Sequence, residues 1–421
     1  MVFRIIFMLI FILLLDFYVF RGIRGIFGST SKTTSFVFNF IFWSIPAILI
    51  IGMAVFIFFR NQLIQPENFR HVYWLTGFFI LFYLPKTVIL FFVLSEDITR
   101  LLAYTIRLPF GSDSVVYQTM TAVRNSHLLT SIGIFLAVIP FIGTIYGIAS
   151  GKFNFKLREQ SVFFKHLPSS FEGFKIVQIS DLHVGSLSPK HKVEIERAVN
   201  LINAQKPDVI FFTGDIVNNT ATELDPWIDV LKKMEARYGK FSILGNHDYG
   251  DYVQWESSKH KQANLESLAD KHRLMGFKIL LNEADSLTLG NEKIAIIGVE
   301  NWGLPPFPQF GNLKTAMAGV DSIPFKILLS HDPSHWDAQV AGKTDIALTL
   351  SGHTHGMQIG VEIGKFRWSP IKWRYKRWGG LYQHNEQFLY VNIGLGFIGF
   401  SGRIGTPPEI AVITLHKMKT D

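Results

Sequence analysis

Cysteine is absent from the 421-residue sequence. Its absence excludes disulfide bonds and thiolate metal ligands, and it leaves the redox compartment open. Charge is also scarce, because Asp, Glu, Lys and Arg make up only 18% of the residues. The first 150 positions contain ten Lys/Arg and five Asp/Glu, so they account for +5 of the net charge of +8 and leave +3 for the remainder. The remainder therefore does not look like a nucleic-acid-binding surface, and we expect no nucleic-acid partner.

Apolar residues, in contrast, make up 48% of the chain, and Phe alone occurs 39 times. Three apolar runs, at residues 36–59, 72–94 and 128–149, are long enough to cross a bilayer as helices of about 20 residues. A shorter run at residues 5–20 is interrupted by Asp16, and no convincing signal-peptide cleavage site follows it. We interpret it as an uncleaved first span. The sequence thus predicts an all-α transmembrane region of about four helices over residues 1–150.

Two ionisable residues, Asp16 and Lys86, fall inside these apolar runs. Such residues are functional candidates by default. Snorkelling toward the nearer interface is the more ordinary behaviour, and we expect it here for both residues. Lys152, Lys156 and Arg158 follow the last run, and basic residues close to a span mark the cytoplasmic side. We therefore expect the C-terminal domain to be cytoplasmic.

From residue 151 onward the sequence has a soluble α/β pattern. Apolar strand-like runs first alternate with polar helical stretches, and a strand-rich half follows. This order predicts layered sheets flanked by helices over residues 151–421. The predicted strands are residues 175–180, 209–212, 241–244, 278–281, 293–299, 325–329, 346–350, 388–391 and 410–415, and the predicted helices are 190–204, 224–237 and 255–274.

Polar residues that can bind metals follow five of the predicted strands. They are Asp181 and His183, then Asp215, then Asn246 with His247 and Asp248, then His331, and finally His353 and His355. Each piece alone is weak, since an Asp-x-His pair or a Gly-Asp step is usually a surface turn. The Gly-His-x-His-Gly sequence is stronger, because the flanking glycines let two imidazoles approach one point. The carboxyl ends of strands in α/β sheets form sites together, so we expect these side chains to lie on one rim.

The types of these side chains predict the kind of ion. Asp, Asn and His ligands without sulfur suit Mn, Fe or Zn. Their number exceeds what one tetrahedral ion needs, so the sequence predicts two divalent metal ions. Two ions roughly 3.5–4 Å apart can share a hydroxide and clamp the attacking oxygen of a phosphoryl displacement.

The same ordered residues resemble the calcineurin-like metallophosphoesterase superfamily over about residues 155–418. The ending Gly394-Leu395-Gly396, then Arg403 and Pro407-Pro408-Glu409-Ile410, resembles the bacterial membrane-anchored branch of that family. The resemblance implies a layered metallophosphoesterase sandwich, a phosphate or pyrophosphate ester as substrate, and a bacterial inner membrane location. Some members of this branch are associated with cleaving the pyrophosphate of UDP-diacylglucosamine, a lipid-linked substrate.

The resemblance also implies a role for each residue. Asp181, His183 and His355 would bind one metal, Asp215 would bridge the two metals, and Asn246, His331 and His353 would complete the second. His247 would donate a proton to the leaving oxygen or contact the transition state, and Asp248 would orient it. His335, Arg403, Asn218 and Asn219 are weaker candidates for substrate contacts. Packing, a surface ion pair and turn chemistry explain them equally well.

Residues 365–378 form a segment of six basic and five aromatic residues without an acid. Trp and Tyr mixed with Lys and Arg are typical of a contact with a membrane interface. RNA binding, a lid over the site and an ordinary solvated surface are the alternatives.

Three functions remain open from the sequence. The first is an integral-membrane phosphoesterase that acts on a lipid-linked substrate, because four spans exceed what an anchor needs. The second is a membrane-anchored phosphodiesterase or phosphatase that acts on a soluble nucleotide or phosphoprotein. The third is a non-enzymatic receptor or transport subunit with a degenerate domain, which the complete ligand set argues against. The sequence does not indicate the oligomeric state.

Overall fold

The computed structural model describes residues 2–27, 31–63, 69–364 and 366–418. The chain forms two compact units, of which the first comprises Met1–Leu63 and His71–Tyr146 and the second includes Gly147–Asp421. The first unit is helical. Its helices are α1 (Val2–Phe27), α2 (Lys32–Phe58), α3 (Arg60–Leu63), α4 (Phe69–Arg107), α5 (Val115–Asn125) and α6 (Leu128–Ala149).

Three stretches within the described residues are long and apolar enough to cross a membrane: Lys32–Phe58, His71–Arg107 and Val115–Ala149. They cover the three long apolar runs of the sequence, except for Phe59 at the end of the first. The shorter run at residues 5–20 lies inside α1, which is not among the three, so the first span stays a prediction. The described helices α2 and α4 carry large exposed side chains such as Phe40, Phe58 and Phe91, as expected of helices that face lipid.

Asp16 and Lys86 form a buried ion pair, so the expectation that they snorkel is wrong. The Nζ atom of Lys86 lies 2.5 Å from Oδ1 of Asp16, and the hydroxyl of Tyr83 donates a hydrogen bond of 2.6 Å to Oδ2. The ammonium group also lies 4.6 Å from the ring centroid of Phe42. Pairing between α1 and α4 satisfies both charges inside the unit, which removes the reason to reach the interface.

The second unit contains all the strands among the described residues. They are β1 (Lys156–Phe164), β2 (Lys175–Ile179), β3 (Val209–Thr213), β4 (Lys240–Ile243), β5 (Phe277–Ile279), β6 (Glu283–Leu289), β7 (Glu292–Gly298), β8 (Lys326–Leu329), β9 (Leu348–Ser351), β10 (Val361–Ile363), β11 (Phe366–Trp368), β12 (Gly380–His384), β13 (Gln387–Val391) and β14 (Glu409–Lys417). The helices of this unit are α7 (Lys192–Ala204), α8 (Ile228–Leu231), α9 (Ser258–Leu274) and α10 (Leu313–Met317).

Two mixed six-stranded sheets form the body of this unit. The first sheet has the order β1-β14-β2-β3-β4-β5, and the second has the order β12-β13-β9-β8-β7-β6. Strands β2 to β5 run parallel, as do β7, β8, β9 and β13. Parallel strands align their carboxyl ends at one edge of a sheet, which brings the following loops together.

Alternation along the strands builds the layers. In β3, Ile210 and Phe212 join the apolar core that includes α7, α8 and α9. Val209 and Phe211 point the other way, into the core between the two sheets. In β8, Leu328 packs instead in the core on the outer face of the second sheet, with α10. Strands buried on both faces are continuous apolar runs, as these are. The observed layers are therefore helix, sheet, sheet and helix, which confirms the predicted fold class.

Strands β1, β6 and β12 and the short helix α10 are not among the predicted elements. Two further differences have simple causes. The predicted helix at residues 224–237 contains Pro226, and the chain there forms a 3₁₀ segment, Ala221–Trp227, followed by the short α8. Proline has no backbone N–H to donate, so an α-helix is poorly continued through it, and α8 begins only after Pro226. The hairpin β10–β11 was not predicted, because strands of three residues carry too little periodicity.

Candidate metal centre

The predicted site residues follow the carboxyl ends of strands that are neighbours in each sheet. Asp181 and His183 follow β2, Asp215 follows β3, and Asn246 follows β4. In the second sheet, His331 follows β8 and the pair His353 and His355 follows β9. Hydrogen bonds join the two groups of loops, since the amide N–H of His353 donates to both carboxylate oxygens of Asp181 at 3.0 Å. The rim expected from the sequence therefore exists.

The backbone at these positions is strained. Asp181, His183, Asp215, His353 and His355 all have a positive φ, between 47° and 71°. Non-glycine residues rarely adopt this conformation, and each costs of order 1–3 kcal/mol that the surrounding structure must offset. The left-handed backbone turns each side chain back over the strand ends, so that all five converge.

Asp181, His183 and His355 form the first group that can hold an ion. The Nε2 atoms of His183 and His355 are 3.0 Å apart, and Nε2 of His355 lies 3.3 Å from Oδ1 of Asp181. All three side chains are buried. Burial lowers the pKa of His183 well below its usual value, which keeps its ring neutral and able to donate a lone pair.

Asp215, His331 and His353 form the second group. Asn246 adds an amide oxygen, since its Oδ1 lies 2.9 Å from Nδ1 of His353. The Nδ1 atom of His331 donates to the carbonyl of Thr213 at 2.7 Å, which leaves Nε2 to face the site. Such a carbonyl partner fixes the tautomer of a metal-binding histidine.

Asp215 lies between the two groups. Its Oδ2 is 3.5 Å from Nε2 of His183 in the first group and 3.2 Å from Nε2 of His331 in the second. Burial disfavours its charge, but the nearby His331 and His247 outweigh burial and hold the pKa of Asp215 well below its usual range. Burial also disfavours the charged form of His331, which lowers its pKa. The nearby Asp215 has the larger net effect and raises the pKa of His331 to about 10. The surroundings of His331 thus favour a positive charge.

The residues fit a pair of divalent ions. Every donor is oxygen or nitrogen, which matches the ions expected from the sequence. Nε2 of His331 is buried and has no hydrogen-bond partner among the described residues, although Asp215 is close. Two imidazole nitrogens also face each other in the first group, an arrangement that a shared cation stabilises. The ions would therefore meet donors that are already positioned and lack better partners.

His247 and Asp248 do not form the pair expected from the sequence. Nδ1 of His247 lies 2.9 Å from the carbonyl oxygen of Asn218. The carboxylate of Asp248 instead accepts backbone N–H groups of Asp215 and Gly245 at 2.8 Å and of Ile216 at 3.0 Å. Asp248 therefore holds the loops together, and the Asn218 carbonyl orients His247. The reason is geometric, since adjacent side chains on a tight turn point in different directions.

Two of the weaker candidates have structural roles. Arg403 is buried, with 2% of its surface exposed, and it donates to the carbonyls of Ile393 at 2.9 Å and Gly396 at 2.8 Å. The prediction of a surface ion pair for Arg403 is therefore wrong. Its guanidinium donates to main-chain carbonyls, which argues against a phosphate contact. His335 is packed, as the alternative held, between Ser330 at 2.8 Å and Gln339 at 3.2 Å.

Three residues at the site were not found from the sequence. The hydroxyl of Tyr375 lies 2.8 Å from Nε2 of His353 and donates to Asp332 at 3.3 Å. The ring of Tyr252 packs against that of His247, tilted by 32° with centroids 4.4 Å apart, and its hydroxyl accepts from the side-chain amide of Asn246 at 2.8 Å. Asp332 directly follows His331, and Tyr375 lies in the basic and aromatic segment, which were the only signals.

Comparisons with known proteins identify families of metal-dependent phosphoesterases that this chain is similar to. Residues 174–357 match the family described as calcineurin-like phosphoesterase, and residues 3–152 match one described as probable calcineurin-like phosphoesterase, transmembrane domain. The metallophosphoesterase YkuE of Bacillus subtilis is 35% identical over 59% of this chain and 81% of its own length. A metallophosphoesterase of Campylobacter jejuni is 28% identical over 91% of this chain and 90% of its own.

A vertebrate relative also combines both parts. The transmembrane protein with metallophosphoesterase domain of Danio rerio is 28% identical over 66% of this chain and 62% of its own length. The chain belongs to the calcineurin-like metallophosphoesterases. It is a membrane-associated metal-dependent phosphoesterase, with two groups of residues that are consistent with a pair of divalent ions.

Proposed function

We propose that the protein hydrolyses a phosphate or pyrophosphate ester at a site of two divalent ions on domain 151–421, and that its substrate is lipid-linked. One observation carries the proposal: Asp215 lies within 3.5 Å of a histidine from each ligand group. A bridging carboxylate is what a two-ion site for phosphoryl displacement needs. Asp181, His183 and His355 would hold one ion, and Asn246, His331 and His353 the other.

The residues of this chain have separate tasks in that reaction. Two ions held there would supply a water of lowered pKa and offset the negative charge of the phosphate oxygens. His247 binds or protonates the leaving oxygen through Nε2, because its Nδ1 donates to the Asn218 carbonyl. This role requires the doubly protonated ring, in which Nε2 carries the proton that goes to the leaving oxygen. The backbone N–H of His247 donates to Oδ1 of Asp215 at 2.8 Å, which couples the position of the His247 ring to the bridging residue.

The lipid-linked substrate rests on the membrane part of the chain. Three described stretches can cross a bilayer, which is more than an anchor requires, and a buried Asp16–Lys86 pair shows a specifically packed bundle. A lipid-linked pyrophosphate such as UDP-diacylglucosamine has the required chemistry: an apolar part that stays in the bilayer and a pyrophosphate at its surface.

We also propose a multi-pass location in a bacterial inner membrane with the catalytic domain in the cytoplasm. The similarity to the Campylobacter jejuni protein extends over 91% of this chain, which supports a bacterial membrane protein of the same organisation. Because the chain has no cysteine, a single cysteine placed at the exposed Leu274 tests the side. An impermeant maleimide should label it only after the cells are permeabilised, and labelling of intact cells would contradict the cytoplasmic placement.

Activity of the purified full chain tests the reaction itself. With Mn²⁺ and bis(4-nitrophenyl) phosphate, Asp215→Asn and His353→Ala should each lose at least about 100-fold in turnover, since even outer partners of metal ligands are worth 10–100-fold. Wild-type turnover in both variants would refute the mechanism. Lipid and nucleotide profiling of cells carrying Asn246→Ala then identifies the substrate. Accumulation of a soluble nucleotide or phosphoprotein instead of a lipid would refute the lipid-linked part alone.

A further inference from the structure

The hairpin β10–β11 has an inverted distribution of polar and apolar residues. In an antiparallel pair, residues opposite each other share a face. Val361 opposes Trp368 and Ile363 opposes Phe366, so one face of the hairpin is wholly apolar. Glu362 opposes Arg367 on the other face. A soluble hairpin normally turns its apolar face to the protein.

Here the charged face is the one that contacts the domain. Glu362 forms an ion pair of 2.5 Å with Arg158 of β1. Arg367 lies 3.8 Å from the buried Glu409 and 5.5 Å from the ring centroid of Trp378. These contacts fix which side of the hairpin faces inward. They therefore hold the apolar side away from the domain core.

The outward face is large and exposed. The exposed fractions are 72% for Ile363, 61% for Phe366 and 78% for Trp373. Trp373 extends the face, because its ring lies 5.8 Å from that of Trp368, edge to face. Apolar patches of this kind on a soluble domain mark a site of contact with a membrane or a partner. We call the face formed by Val361, Ile363, Phe366, Trp368 and Trp373 the hairpin face.

Basic residues lie close to the hairpin face in the sequence. Lys372, Arg374 and Lys376 are exposed next to Trp373, and no ion pair involves Lys372 or Lys376 in the described part of the chain. Lys365 of the same segment lies outside the described residues. Exposed aromatic and aliphatic side chains with exposed cations in the same segment match a bilayer whose headgroups are anionic, since aromatic rings sit at headgroup level and cations meet phosphates.

We propose that the hairpin face docks on the anionic surface of the bilayer in which the chain resides. The inner side of the same segment holds the metal loops: Thr354 donates to the carbonyl of Trp378 at 2.6 Å, and Ser369 donates to that of Gly356 at 2.7 Å. Docking would therefore place the metal centre at the lipid surface, where a lipid-linked phosphate is presented. The docking itself rests on the membrane association and not on the proposed substrate.

Spin labels on single cysteines test the docking in the full chain. A nitroxide is attached at Ile363→Cys or Phe366→Cys, with Leu274→Cys as the control, because Leu274 is also an exposed apolar residue, 68% exposed, and lies on α9. The protein is reconstituted in vesicles of phosphatidylcholine with phosphatidylglycerol. Labels at 363 and 366 should lose accessibility to a water-soluble nickel complex while they stay accessible to oxygen, and the label at 274 should react with both reagents as in water.

Three results would overturn the proposal. Labels at 363 and 366 as accessible to nickel as the control would place the face in water. Protection from both reagents would place it against protein, and protection that appears only when RNA is added would assign it to nucleic acid. The charge is tested by Lys372→Glu with Lys376→Glu, which should restore nickel accessibility at 363 in phosphatidylglycerol vesicles. No change there would refute the anionic part. None of these readouts depends on catalytic activity, so they separate docking from the proposed reaction.

Discussion

The hydroxyl of Tyr375 lies 2.8 Å from Nε2 of His353, the side of that ring opposite to Asn246. A hydrogen bond on the far nitrogen orients a metal-binding imidazole and fixes its tautomer. The basic and aromatic segment thus contributes directly to the second ligand group.

Tyr375→Phe should therefore weaken metal binding by about 10–100-fold, the usual cost of losing such a partner. The measurement is the Mn²⁺ concentration that gives half-maximal activity, together with bound metal per chain. Tyr238→Phe is the matched control, because Tyr238 stacks on Phe174 away from the site. If both variants required the same Mn²⁺ concentration, Tyr375 would have no positioning role.

His247→Ala should reduce turnover by about 10²–10⁴-fold, the range for a proton-transfer group, while metal content stays at the wild-type level. The ring does not belong to either ligand group. Bound metal and turnover are measured on the same preparation, with Asn246→Ala for comparison, which should lose metal. Equal metal loss in the two variants would contradict this division.

Asp248→Asn should unfold more easily, because its carboxylate accepts backbone N–H groups at 2.8–3.3 Å in a fully buried position. An unsatisfied buried donor costs about 1–3 kcal/mol, so a loss of about 3 kcal/mol is expected for the loop cluster. Thermal unfolding in detergent measures it. A variant with wild-type stability and reduced turnover would instead restore the partnership of Asp248 with His247.

Removing one partner of the Asp16–Lys86 pair should destabilise the helical unit by about 3–5 kcal/mol, since a buried charge is left alone. The double change Asp16→Leu with Lys86→Met should cost much less than the sum, because no charge remains. A double-mutant cycle of thermal unfolding in detergent checks this. Additive losses would show that the two residues do not interact.

His272 provides a pH test of stability. The ring is buried between Phe212 and Phe277, neither nitrogen has a hydrogen-bond partner among the described residues, and burial lowers its pKa to about 4. The unfolded chain binds the proton more readily, so stability is complete above pH 6.5 and declines as the pH falls toward 4. Between pH 7.5 and 5 the loss should be about 2 kcal/mol.

His272→Leu removes this titration, so its unfolding midpoint should fall less between pH 7.5 and 5 than that of the wild type. The same pH sensitivity in both proteins would show that other groups cause the acid effect. Thermal unfolding in detergent at the two pH values measures it.

The predictable part of the site follows from local rules. A buried apolar strand that ends in Gly-Asn-His-Asp or Gly-His-x-His-Gly places polar groups at a sheet edge, and the parallel sheet collects such edges. The placement of the metal-binding residues from Asp181 to His355 at one sheet edge could thus be predicted without knowing any contact.

The unpredicted part depends on side-chain direction and on long-range packing. Nothing local indicates that Asp248 turns to the backbone and away from His247. The sequence suggested a phosphate contact or a surface ion pair for Arg403, because its burial arises from segments that meet only in the fold. The hairpin face was not predicted either. Its exposure depends on which side of β10 and β11 faces Arg158 and Glu409, and the sequence does not show this.

The left-handed backbone at Asp181, His183, Asp215, His353 and His355 has an evolutionary consequence. Glycine adopts this conformation without strain, so exchanging one of these residues for glycine would relieve of order 1 kcal/mol while it removes a ligand. Selection for thermal stability alone would therefore erode the site, one ligand at a time. The five metal-binding residues are therefore held in place at a cost to the stability of the fold, and a glycine at any one of them would gain stability by losing an ion ligand.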